Sequence, residues 1–210
     1  MSITAFGLAI SIVQAMPVTI AAADAKGIRF IDDTYYVVNY LSVRIDYQDE
    51  TRTQLNYEDR SLIEFDISGL SGTISNCTLD LSYGKFFDGV HHVPPSESII
   101  DVFAYVGDGT VNASDFFAGG TSPFISFIGE VDYERGYTYT QIEVTSIIQA
   151  AVSAGEMYIG FRLSTQTDAV FSFGSMIAVP NPVLTVIPEP ASVLLVAFGG
   201  LVVRKRFRGF

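Results

Sequence analysis

Apolar and polar residues alternate in short runs along most of the chain, the period-two pattern of strands buried on one face. Ser61 to Ile67 places Ile63, Phe65 and Ile67 on one side and Glu64 and Asp66 on the other. Asn76 to Tyr83 gathers Cys77, Leu79, Leu81 and Tyr83 on one face. Ile100, Val102 and Ala104 alternate with Asp101 and Phe103. From Tyr137 to Val144, Thr138, Thr140, Ile142 and Val144 oppose Tyr137, Tyr139, Gln141 and Glu143. Met157, Ile159, Phe161 and Leu163 oppose Tyr158 and Arg162, and Val170 to Phe173 and Pro182 to Val186 complete the set. Turn residues separate these runs at Ser68-Gly69, Gly107-Asp108-Gly109, Gly119-Gly120 and Ala154-Gly155. One short helix is expected over Ile147 to Val152, capped by Thr145 or Ser146. The pattern predicts an all-β, jelly-roll-like β-sandwich over residues 26–187 with a single short helix.

Both ends break the alternation. Residues 1–25 are apolar from Ala5 to Ile20 and end in Ala21-Ala22-Ala23-Asp24-Ala25, which fits a signal peptide cut by signal peptidase near Ala23 or Ala25. No Lys or Arg precedes the apolar run, and Pro17 favours a processed segment over a membrane helix. At the other end, Pro188-Glu189-Pro190 leads into an uncharged stretch from Ala191 to Val203, followed by Arg204, Lys205, Arg206 and Arg208. A buried core helix is one reading of that stretch, but four adjoining cations make a poor core element. An ordinary tail anchor is another. In order and adjacency the three parts resemble the PEP-CTERM sorting signal. That resemblance implies a domain boundary at 188–210, a membrane helix within it, and transient residence in the inner membrane. It also implies processing by an exosortase and delivery to the cell surface or exopolysaccharide matrix of a Gram-negative bacterium.

The middle carries a second resemblance. Arg60-Ser61-Leu62-Ile63-Glu64-Phe65-Asp66-Ile67-Ser68-Gly69-Leu70, then Ile74 to Leu81, Ile100 to Phe103, Glu143 to Gln149, Gly160 to Leu163 and Pro182 to Val186 are similar to the DNRLRE-type domain. It implies a secreted jelly roll related to carbohydrate-binding modules.

Charge and candidate chemistry narrow the function classes. The 210 residues carry 23 acids against 12 bases, a net charge of −11, and four of those bases lie in the C-terminal tail. So acidic a body repels nucleic acid and anionic membrane, which sets DNA and RNA binding aside. Cys77 is the single cysteine, so no internal disulfide forms, and its apolar neighbours mark it as a buried thiol. His91-His92 point to opposite sides of any strand and have no third ligand of their kind. Structural Ca²⁺ is better served by acids, with Asp108 and Asp115 the candidate ligands and Asp32-Asp33 and Asp46 to Glu50 further clusters. Nothing in the order of Ser, His and Asp suggests a nucleophilic enzyme, and a glycan hydrolase would need two facing carboxylates. Tyr137, Tyr139 and Gln141 form the pattern best suited to ligand binding, since tyrosine rings stack on sugars while amides bond to hydroxyls. The expectation is a non-catalytic exported protein that binds exopolysaccharide or another surface glycan. The alternatives are an adhesive protein that binds another protein, and a hydrolase.

Overall fold

The structure, a computed structural model, describes residues 15–47, 55–85, 99–129, 137–165, 170–173 and 180–189. Within them run eleven strands: β1 (Val18–Ile31), β2 (Thr34–Val38), β3 (Leu41–Tyr47), β4 (Leu55–Asp66), β5 (Ile74–Lys85), β6 (Ile99–Val106), β7 (Ile125–Ile128), β8 (Thr138–Glu143), β9 (Tyr158–Thr165), β10 (Val170–Phe173) and β11 (Val183–Pro188). One α-helix, α1 (Thr145–Ala154), and a 3-10 turn at Ala113–Phe117 accompany them. The mainly β class with a short helix is as the alternation predicts.

Hydrogen bonding is continuous through β2-β1-β11-β5-β10-β3-β4-β9-β6-β7, with β8 added on β5. Because β1 also pairs with β4, the sheet curls round and closes on itself. The resulting interior is filled from opposed walls, by Leu79, Leu81, Leu184 and Val186 on one side and Ile63, Phe65, Phe161 and Leu163 on the other. Layers opposed in this way behave as a sandwich, although a single curled sheet supplies both.

The 14-residue β1 makes the turn from one wall to the other. Val18 to Ala21 pair with Val186 to Val183 of β11, and from Ala22 the strand pairs with β4 instead. A bulge between Ala22 and Asp24 bends it at the changeover, as bulges commonly do at sheet corners. Beyond it, Asp32 and Asp33 take positive φ values of 48° and 57° and turn β1 into β2 as a tight hairpin. Asp32-Asp33 thus serves as a hairpin turn. β1 runs across position 25, and Asp24 bonds through its Oδ2, which accepts from Lys26 Nζ at 2.6 Å and Val111 N at 2.9 Å.

Two residues expected on the solvent side are covered instead. Glu64 points away from the core but is buried, because the turn at Gly107 to Gly109 folds over it and the amides of Asp108 and Gly109 donate to its Oε2. Arg162 lies over the Phe103 ring at 3.9 Å and donates to the carbonyls of Phe116 and Gly120. Around Phe116, with Ile28, Leu62 and Val111, a second apolar cluster forms on this outer side of the sheet.

At the other end of β11, Pro188 still pairs with Ile74, and the Glu189 amide donates to the Thr73 carbonyl at 2.9 Å. Pro190, the stretch from Ala191 to Val203 and the cations Arg204, Lys205, Arg206 and Arg208 lie outside the described residues, as do His91 and His92. Among the described residues no helix is long and apolar enough to cross a membrane.

Candidate functional site: the outer face of β8 and β5

Among the described residues β8 pairs with β5 alone, with Tyr139 opposite Ser82, Gln141 opposite Asp80 and Glu143 opposite Thr78. Its alternation holds: Ile142 and Val144 are buried, while Tyr137, Tyr139, Gln141 and Glu143 face out. Tyr139 is 55% exposed and Tyr137 40%. The structure thus exposes the three predicted ligand-binding residues at alternate positions, Tyr139 and Gln141 on β8 and Tyr137 just before it.

What sequence reading missed is the group that arranges them. Asp80 projects from β5 between the core residues Leu79 and Leu81, yet its neighbours leave it only 6% exposed. Its Oδ1 accepts from Gln141 Nε2 at 2.9 Å and Thr78 Oγ1 at 3.1 Å, and its Oδ2 accepts from Thr185 Oγ1 of β11 at 2.6 Å. Gln141 Nε2 also donates to Tyr139 Oη at 3.1 Å. One carboxylate therefore fixes the amide orientation, and the amide in turn holds the phenol. Such charge-assisted bonds are roughly twice as strong as neutral ones. Partial burial, followed by the Asp80 charge, raises the Tyr139 pKa, so the phenol remains a proton donor. The free side of Gln141 offers a carbonyl oxygen, so the face presents an aromatic ring flanked by a donor and an acceptor. The only sequence signal for Asp80 was its place across from a position that could be seen just by fixing the register of β5 and β8.

The corner after β8 is rigid. Thr145 was expected to cap the helix, but its Oγ1 accepts from the Cys77 amide at 2.7 Å, and the helix starts with no side-chain cap. The β5–β8 ladder ends at Thr78, so the next amide along β5 needs an acceptor, and Thr145 supplies it. The Val144 amide donates to the Cys77 carbonyl at 2.9 Å, and Gly155 closes α1 at a φ of 77°. Cys77 is buried, with its thiol pushed up to about 12 by desolvation and then by Asp80 and Glu143, which suits a structural thiol.

The candidate calcium ligands are taken up by the loop after β6. Asp108 Oδ1 accepts from the Thr110 amide, and Asp115 Oδ2 accepts from the Asn112 amide in a capping box. Both lie close enough to Glu64 to raise its pKa, after burial as the main cause. Among the described residues no group of three or more His, Cys, Asp or Glu is placed to hold a metal ion.

No family model and no curated protein matches the chain. Among solved structures the chain is similar to a "xylan-binding module CBM15", at 7% identity and a TM-score of 0.39, over 84% of this chain and 98% of that one.

Proposed function

We propose that this is an exported, non-catalytic component of the cell surface or exopolysaccharide matrix whose jelly-roll-like domain binds carbohydrate on the outer face of β8 and β5. The observation that carries the reading is the Asp80–Gln141–Tyr139 chain of hydrogen bonds beneath a half-exposed tyrosine. A sugar ring has an apolar face for the ring to stack on and hydroxyls that both donate and accept. Polar groups already fixed by an internal carboxylate lose little freedom when they bind it. For the chain's route outward, Pro188 and Glu189, the first residues of the expected sorting signal, close the last strand, so the remainder of that signal would leave the body from the end of β11.

The test is titration of the full chain with the producing organism's purified exopolysaccharide, followed by calorimetry, with and without EDTA. Saturable binding is expected, and Tyr139→Ala weakens it about tenfold, equivalent to about 1.4 kcal/mol. Loss of binding in EDTA would bring calcium into the site. Absence of binding to the matrix polysaccharide and to common glycans sinks the reading.

One feature favours a protein partner as the second reading. On the edge formed by β6 and β7, Ile99 and Ile128 stand directly opposite each other, 43% and 52% exposed, with Phe124 and Val106 also exposed nearby in sequence. Exposed apolar pairs on an edge strand suit association with another chain. Sedimentation of the full chain alone and with matrix proteins distinguishes this outcome.

A further inference from the structure

At the changeover of β1 from β11 to β4, the two walls part and leave a cavity of about 320 Å³. Ala21 to Ala25 line one side, Asn39, Tyr40 and Leu41 a second, and Asn181, Pro182 and Val183 a third. Its existence follows from composition. Four of the five residues at the bulge are alanine, so no side chain fills the gap that the bend opens. Gly27 sets the position of the second wall: a Cβ there would fall 2.4 Å from the Tyr40 carbonyl oxygen and 2.8 Å from Val38 Cγ2.

The lining is polar but carries little usable charge. Asp24 is the one acid, and its oxygens already accept from Lys26, the Val111 amide and the Ala25 amide. Asn39 and Asn181 border the space as exposed residues, and neither side chain is engaged in a hydrogen bond within the described residues, so two amides at its mouth, each with donors and an acceptor, are open to a ligand. Tyr40 adds an aromatic ring, with the Arg29 guanidinium 5.7 Å from its centroid. The volume is at the lower end of the roughly 300–1,000 Å³ typical of small-molecule sites.

We infer that this cavity is a second binding site, for a neutral, hydroxyl-rich molecule the size of one or two sugar rings, held by the amides of Asn39 and Asn181 beside the Tyr40 ring. A site this small takes a free sugar or a chain end, whereas the open face of β8 suits the middle of a polymer. The two sites share no residue and stand or fall separately.

Saturation-transfer NMR and calorimetry on the full chain, using glucose, galactose, mannose, N-acetylglucosamine and glucuronate as probes, test the inference. At least one neutral sugar binds with millimolar affinity, glucuronate binds no more tightly, and Tyr139→Ala leaves that binding unchanged. The double variant Asn39→Ala/Asn181→Ala weakens it tenfold or more while melting at the same temperature as the wild type. Should no neutral sugar bind, or the double variant bind as the wild type does, the inference is overturned. Binding lost only in Tyr139→Ala would assign the sugar to β8 and equally remove it from the cavity. Tighter binding of glucuronate would overturn the neutral class.

Discussion

At the scale of single residues, the structure turns on buried polar groups with defined partners. Asp59 is one: its two oxygens accept from Arg29 at 2.7 and 2.8 Å, and Ser42 Oγ adds a third bond at 3.0 Å. Asp24, only half-buried, is also held by defined partners: partial burial works against its charge, while the Lys26 and Val111 bonds and the Lys26 ammonium outweigh it and hold its pKa below the ordinary 3.8. A lowered pKa means that Asp24 stabilises the fold above that value and that the contribution is lost as pH falls through the folded-state pKa. Asp24→Asn should therefore melt at a lower temperature than the wild type at pH 7, with the difference closing in acid; thermal melts across pH check it. Cys77 makes the opposite kind of prediction. Buried and with its thiol at about 12, it should resist iodoacetamide at pH 8 in the native protein and react once denatured. Residues of this kind were half legible in the sequence. The apolar face that buries Cys77 could be read from its alternation. Glu64 could not, because the same alternation that turns it outward says nothing of the loop at Gly107 that covers it.

At the scale of elements, close approaches decide which strands can neighbour each other. Gly160 on β9 faces Tyr105 on β6, and a Cβ at that glycine would lie 2.2 Å from the tyrosine ring. Gly160→Ala should cost about 1–3 kcal/mol through overpacking, and less when introduced beside Tyr105→Ser, which removes the clashing ring; denaturant titrations of the two single variants and the double variant measure this coupling. Thr145→Val leaves the Cys77 amide buried without its acceptor, and about 1–3 kcal/mol of stability is expected to go with it. Strands β4, β5, β6, β8, β9, β10 and β11 were visible as alternating runs. β1 was not, because Val18 to Ala25 is a small-residue stretch that also reads as the end of an export signal, and alanine has no preference for one face. β2 escaped for another reason: its tyrosines and valines sit on a half-exposed hairpin with β1 where polar and apolar positions do not separate cleanly, whereas β3 does alternate, with Leu41 and Val43 set against Ser42 and Arg44. The outer face of β8 was legible residue by residue, but its support from Asp80 and Thr185 depends on pairings between strands far apart in sequence.

At the scale of the whole molecule, β1 joins the two walls, and its first residues belong to both the sheet and the expected export segment. A chain beginning at Met16 should keep the full stability, while one beginning at Lys26 exposes the β11 edge and loses Asp24; comparing their melting temperatures shows how far the folded body extends. The placement of β11 has a mechanical result. It is clamped on both sides, by β5 along Val183 to Pro188 and by β1 along Val183 to Val186, and the chain leaves it at Glu189. Tension applied from the C-terminal side along the strand axis would have to slide β11 past two partners together, breaking their bonds in parallel instead of peeling them one by one. A body tethered by that end would behave as a shear-loaded lap joint, holding against drag where a terminal hairpin would unzip.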